Sequence, residues 1–365
     1  MSDTTQRVRD LIADLGTSQA DFAQAVGLDP SKLSKSLGGA RRFSSLDLAR
    51  IAEHANVTVD WLLTGNESTL ALAARAHAGS STGIASTTAR RMADVRTSAT
   101  RLGYPQGWNF PEFTVCSGRA YEQGEELAKQ VQRHFGCDRS MGALHDLPGV
   151  IEEVFGFDVC RTDLGDGFDG LAVATRDARM ILVSVTPNAY RQRFTIAHEL
   201  AHLLVEDSQE LHLDEDVYGA RTKREPSEIR ANAFAAALLM PQGVLLDAVK
   251  PGFARSDFLL LSTRLQVTPR ALGFRLQNLR LIDEMAARQW GQVSALGAAK
   301  ECDEVSALST AVQGSSAPRP PGLLARDLMQ AYLDGKTTVR LYAELLGVNP
   351  EEMRVILEQA GSEET

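Results

Sequence analysis

Residues Arg193 to Leu204, Arg-Phe-Thr-Ile-Ala-His-Glu-Leu-Ala-His-Leu-Leu, constrain this chain more than any other stretch, because they set His-Glu-x-x-His inside a run that reads as one helix. His198 and His202 are four apart and so project from one face. That spacing brings both imidazoles to one Zn²⁺, while Glu199 leans over the coordination position that a water would fill. Phe194, Ile196, Leu200, Leu203 and Leu204 supply an apolar packing face for the helix.

A catalytic zinc needs three protein ligands and an open fourth position, so a third donor must come from elsewhere. His212 lies ten residues after His202, but the pattern that uses a nearby third histidine wants Gly three and His six residues beyond the second one, where this chain has Val205 and Ser208. Glu228 is the better candidate. It opens an Ala-rich helical stretch that follows Pro226 and stops at Pro241. Glu228 and Asn232 are i and i+4 and share a face, so the carboxylate can bind metal while the amide holds a ligand in place. Glu225 is the alternative, less suited because it precedes Pro226 and falls outside the helix.

From about Gly170 to Pro241 the chain resembles the ImmA/IrrE family of zinc metallopeptidases. The likeness rests on an apolar strand, then Arg193-Phe-Thr-Ile-Ala-His-Glu-Leu-Ala-His202, then Glu228-Ile-Arg-Ala-Asn-Ala-Phe-Ala-Ala-Ala-Leu-Leu-Met-Pro241. By that resemblance His198, His202 and Glu228 hold zinc and Glu199 is the general base. Family members act as anti-repressors that cut a partner transcription repressor, and some are regulators without shown proteolysis. The resemblance therefore implies a regulatory zinc metalloendopeptidase; the competing expectation is a transcription regulator whose zinc fold is a sensor or scaffold.

The 365 residues suggest two or three domains, and a hydrophobic content of 44% suffices for real cores. A net charge of -9 argues against coating nucleic acid by bulk electrostatics, so such contact must be local. Cys116, Cys137, Cys160 and Cys302 form no Cys-x-x-Cys pair and read as reduced, which points to the cytoplasm. No apolar leader follows the charged start, and the longest apolar run, Ala233 to Met240, is too short to span a bilayer, so no membrane partner is expected.

Residues 4 to 65 read as five short helices, with Ser18 capping Gln19 to Val26, Gly27 in the turn, Pro30 opening Ser31 to Leu37, Ser44 or Ser45 capping Leu46 to Ala55, and Val57 to Leu63 closing the unit. Helix, Gly turn and second short helix make a helix-turn-helix. The whole stretch is similar to the phage-repressor (Xre) type of DNA-binding domain. By that likeness Ser31 to Leu37 enters the major groove of an operator duplex, exposing Ser31, Lys32, Ser34 and Lys35, with Gln19 near a phosphate. Local charge agrees: Pro30 to Arg42 holds Lys32, Lys35, Arg41 and Arg42 and no acid.

Residues 67–83 turn to Ala, Ser, Gly and Thr and read as a linker. Ser86 to Leu102 reads as a solvated helix, with the alternative that its Arg90, Arg91, Arg96 and Arg101 offer a second phosphate contact. Helices are expected near Arg119 to Phe135 and Ala143 to Phe155, and strands at Phe157 to Arg161, Gly170 to Thr175 and Met180 to Val185, the last two as a hairpin. Met180, Ile181, Leu182, Val183, Ser184 and Val185 are the expected substrate strand, pairing with the scissile peptide by β-augmentation. The acids Glu206, Asp207, Glu210, Asp214, Glu215 and Asp216 follow the histidine helix and read as a solvated loop, with the alternative that they favour a basic substrate segment. Tyr190, His212 and Tyr218 are the candidates for steadying the oxyanion.

Leu265 to Leu272 and Val339 to Pro350 each have a helix, turn and capped-helix look. Gly314 to Gly322, rich in Ser and Pro, reads as a disorder-prone linker, and the tail beyond it carries Arg326, Lys336, Arg340 and Arg354 against eight acids, which favours a protein-binding or dimerising role over DNA. The expected fold class is thus mainly α with a small β-sheet (α+β). Its expected order is a helix-turn-helix domain (1–66), linker (67–83), zincin-like metallopeptidase domain (84–255), helical extension (256–312), linker (313–322) and small helical C-terminal unit (323–365).

Overall fold

The computed structural model describes residues 3–55, 57, 62, 82–109, 113, 117–134, 146–206 and 225–362. Among the described residues the chain is mostly helical, with eighteen helices and one three-stranded sheet, the expected α+β class. It divides into two compact units, Met1–Ser86 and Thr87–Thr365. No single described helix is long and apolar enough to cross a membrane.

The first unit is built from α1 (Asp3–Asp14), α2 (Gln19–Ala25), α3 (Pro30–Leu37) and α4 (Ser45–His54). Each start has a chemical cause. Ser18 accepts the Asp21 amide, Asp29 accepts the Ser31 and Lys32 amides ahead of Pro30, and Ser44 and Asp47 bond each other's amides reciprocally. Gly27 takes the turn between α2 and α3 at φ +63°, a left-handed conformation that suits glycine. Val8, Phe22, Leu33, Leu37, Leu48 and Ile51 close one core, joined by Leu62. Apart from Val57 and Leu62, the closing helix expected at Val57 to Leu63 lies outside the described residues, as do residues 67–81 of the expected linker.

The second unit begins in α5 (Thr82–Arg101), followed by α6 (Ala120–His134), α7 (Leu147–Phe155), β1 (Asp158–Thr162), β2 (Gly170–Ala174) and β3 (Arg179–Ser184). The sheet order is β1-β3-β2, with β1 parallel and β2 antiparallel to β3. The hairpin forms as expected, but β3 is the central strand. Its backbone is paired from Asp158↔Met180 to Thr162↔Ser184 on one side and from Gly170↔Val183 to Ala174↔Arg179 on the other. Met180, Ile181, Leu182, Val183 and Ser184 therefore cannot take a substrate strand, and Val185 lies beyond the end of β3, its amide bonded to Thr162.

Next come α8 (Ala189–Val205), α9 (Pro226–Leu239), α10 (Gln242–Ala248), α11 (Arg255–Leu265), α12 (Pro269–Asn278), α13 (Glu284–Trp290) and α14 (Ala295–Glu301). Phe258, Leu259, Leu272, Leu276 and Ala298 bury in the same cluster as Phe155, Ile181, Leu200 and Phe234. The boundary expected at residue 255 is thus not a boundary in the packing. The helix, turn and capped-helix expected around Leu265 to Leu272 is α11–α12, with Thr268 accepting the Ala271 amide, and Arg275 of α12 reaches back to donate to the Met240 carbonyl at 3.2 Å and to pair with Glu125.

The chain ends in α15 (Val305–Ser316), α16 (Gly322–Leu333), α17 (Arg340–Leu346) and α18 (Pro350–Ser362). The expected linker at 313–322 is built into the fold instead. Ser315 bonds Thr186, Arg319 bridges to the backbone of Arg161 on the outer edge of β1, and its guanidinium pairs with Glu152. Of the four arginines expected to offer a second phosphate contact, Arg96 of α5 is wholly buried, 2.6 Å from Asp327 and 3.6 Å from Asp158, while Arg91 and Arg101 are exposed.

Candidate metal centre

Helices α8 and α9 build the site. α8 follows β3 after a short turn and runs back across the sheet, held at its first turn by the buried Gln192 amide, which donates to the Ser184 carbonyl at 2.7 Å and the Ser315 carbonyl at 3.0 Å. Arg191 donates to Asp169, the residue before β2, at 3.0 Å. At the other end of α8, Glu206 in a left-handed cap pairs with Arg179 at 3.2 Å, opposite Ala174. β2 therefore lies alongside the part of α8 that carries both histidines. Gln192, Arg191 and Asp169 escaped the sequence reading, since nothing local marks a residue whose partner lies on another element.

Helix geometry puts His198 and His202 on one face, and Pro226 starts α9 so that Glu228 falls in its first turn, pointing at them. His198 Nε2 and His202 Nε2 lie 3.1 Å apart, His198 Nε2 is 3.3 Å from Glu228 Oε2, and His202 Nε2 is 3.2 Å from Glu228 Oε1. His198 Nδ1 is 3.2 Å from Asn232 Oδ1, which fixes the ring so that Nε2 faces inward. His198, Glu199, His202 and Glu228 are all buried. Burial pushes the Glu228 carboxyl up, but the two imidazoles hydrogen-bonded to it outweigh burial and hold it well below the usual carboxylate range.

The donor atoms test whether a metal fits. Bonds of about 2.0–2.1 Å to a tetrahedral ion place neighbouring ligand atoms roughly 3.3–3.4 Å apart. The observed separations of 3.1, 3.2 and 3.3 Å match that triangle closely. The expected ligand set, His198, His202 and Glu228, is brought together, and among the described residues it is the group of such side chains able to hold an ion. Residues 152–277 match the IrrE N-terminal-like domain, a peptidase family. This IrrE-like domain runs from α7 through α12, so it includes the whole metal centre and makes that part of the chain metallopeptidase-like. No curated protein matches the chain.

Other expected site residues fall elsewhere. Glu225 is an exposed residue at the N-cap of α9, apart from the cluster, and His212, Tyr218 and the acids from Asp207 to Asp216 lie outside the described residues. Tyr190 is not at the IrrE-like centre: it packs with Ala189, Ala299 and Leu308, and burial raises its phenol pKa. In the first unit Gln19, Ser31, Lys32, Ser34, Lys35 and Arg42 are exposed, as a nucleic-acid contact requires. Arg41 differs. It is half-buried, pairs with Asp47 at 2.8 Å and donates to Ser36 Oγ at 3.2 Å, bracing α3 against α4.

Proposed function

We propose that this protein is a DNA-tethered zinc metalloendopeptidase whose substrate is a transcription repressor. The observation that carries the peptidase reading is the triangle of His198, His202 and Glu228 donors with Glu199 on the same helix, buried beside them. Zinc at such a site would polarise the scissile carbonyl and acidify water. Metal binding alone has no need of Glu199; as general base it takes the proton of the attacking water and passes it to the leaving amine. Asn232 keeps His198 in the orientation that binds metal.

The substrate strand is assigned to β2. Among the described residues no strand pairs with its outer edge. The bonds Ser184 N to Asp169 O and Thr175 N to Ala178 O fix the alternation, so Leu171 and Val173 face β3. Gly170, Ala172 and Ala174 then turn their backbone groups outward, beside α8, where an extended peptide adds to the sheet. The first unit supplies the address: Ser31, Lys32, Ser34 and Lys35 along exposed α3 suit a major groove, with Gln19 and Arg42 toward phosphate.

Incubating the protein with the repressor encoded beside its gene, with and without a chelator, tests the first half. Cleavage that stops on chelation and returns with zinc is expected; no cleavage under any metal would favour the regulator without proteolysis. A mobility-shift assay tests the second. Residues 1–66 in the intact protein should retard a specific duplex, less so as salt rises, and Lys35→Ala should weaken that binding by roughly 1–3 kcal/mol while cleavage of free repressor persists. Equal retardation of random DNA would remove the DNA-reading role.

A further inference from the structure

α9 is held between two helices, and its faces do different things. At about 100° per residue, Glu228 and Asn232 lie within about 40° of each other, while Arg230, Ala233, Phe234 and Ala237 cluster on the opposite side. The first pair faces His198 and His202 on α8. The second group faces α6. There Gly124 is buried, and a Cβ added to it would run into the Arg230 carbonyl oxygen and lie 2.8 Å from both the Ala233 Cβ and the Phe234 nitrogen. Two of these three atoms are backbone, which cannot swing aside, and all stand well inside the roughly 3.5–4.0 Å of ordinary contact. Polar ties hold the same gap on either side: Arg230 donates to Gln123 at 3.0 Å and Gln132 to the Ala237 carbonyl at 2.8 Å.

From this we infer that Gly124 is a positioning residue for the metal: the backbone contact it permits sets how far α9 stands from α8, and hence the reach of Glu228 to the two histidines. The inference rests on the metal-centre reading. A wedge at Gly124 pushes α9 along the line toward the histidines, and ligand distances tolerate only about 0.2 Å. Arg275 resists the other escape, movement of α6 outward, by joining Glu125 on α6 to the Met240 carbonyl at the end of α9. A glycine in a helix costs about 1 kcal/mol relative to alanine, so its presence inside α6 calls for a reason of this kind. Gly124 lies outside residues 152–277, so the spacing is set from beyond the part matched to the IrrE-like domain.

The test uses Gly124→Ala and, from the facing side, Ala233→Ser in the full chain. Zinc affinity is read by chelator competition, and the visible spectrum of the cobalt(II)-loaded protein reports coordination. Both variants should keep helical content, bind zinc about tenfold or more weakly, and shift the cobalt bands, as changes behind a ligand typically do. Leu127→Ala, a core truncation on the same helix, should lower stability without moving the cobalt spectrum. Should Gly124→Ala fail to fold, the milder Ala233→Ser gives the reading. Unchanged affinity and spectrum in the wedge variants, or an equal change in Leu127→Ala, would overturn the inference; absence of zinc uptake by the unaltered protein would instead overturn the metal-centre reading beneath it.

Discussion

At the scale of single residues, the centre separates holding from reacting. Glu228 closes the donor triangle with both imidazoles, so Glu228→Ala should leave two ligands and lower bound metal, measured by elemental analysis after dialysis. Glu199 is buried on the same helix but is not among the grouped donors, so Glu199→Gln should keep the metal and lose roughly 10² to 10⁴ in peptide cleavage rate. Full zinc in the first variant, or full activity in the second, would reverse the assigned roles. These residues were legible because the arithmetic is local: i and i+4 share a face in any helix, and both pairs lie on unbroken helices. Gln192 and Gly124 were not, since what makes them matter is Ser315 in one case and Arg230 in the other, each about a hundred residues away.

At the scale of elements, the three strands were visible as short apolar runs bounded by turn residues, and the hairpin in the short turn between the last two. Their order was not. β1 pairs with β3 across the intervening β2, a non-local choice that leaves no trace in either strand's own sequence, and it converts the expected substrate strand into the centre of the sheet. The consequence for binding can be measured at Ala172. Its amide faces away from β3, so Ala172→Pro removes an outward donor while sparing the ladder, the one setting in which a strand tolerates proline. Fold and metal content should persist while kcat/KM for a peptide falls about tenfold, near the worth of one lost backbone hydrogen bond. An unchanged kcat/KM would move the peptide away from this edge.

At the scale of the molecule, the second unit extends to Thr365, and the Pro- and Gly-rich segment that looked like a linker is where the C-terminal helices are fastened. Composition misled there because Pro and Gly serve equally in free chain and in a tightly bonded crossing. The Gly322 amide donates to Glu152 at 2.8 Å, and the Leu324 amide donates to Asp158 at 2.9 Å. Behind them two carboxylates, Asp158 and Asp327, share one buried guanidinium, Arg96, with Asp327 the nearer by 1.0 Å (3.6 against 2.6 Å). Asp158 is fully enclosed, and burial pushes its pKa up to about 6; Arg96 and the Leu324 amide oppose that rise, while Glu152 and Asp327 add to it. The folded protein thus holds the proton more tightly than the unfolded chain, whose aspartates titrate near 3.9. Stability from this group is present in full below about pH 4 and is lost as pH rises through about 6. Asp158→Asn keeps the acceptor for Leu324 and leaves Arg96 paired with Asp327, so it mimics the protonated state at every pH. Measured by denaturant unfolding of metal-loaded protein, the parent should lose about 2 kcal/mol relative to Asp158→Asn between pH 4 and pH 7, because raising a carboxyl pKa by one on folding corresponds to about 1.4 kcal/mol and the unfolded aspartate is already half ionised at pH 4. A constant difference between parent and variant across that range would mean that Arg96 keeps both carboxylates ionised, and that the C-terminal helices are fastened by a charged triad at all pH values.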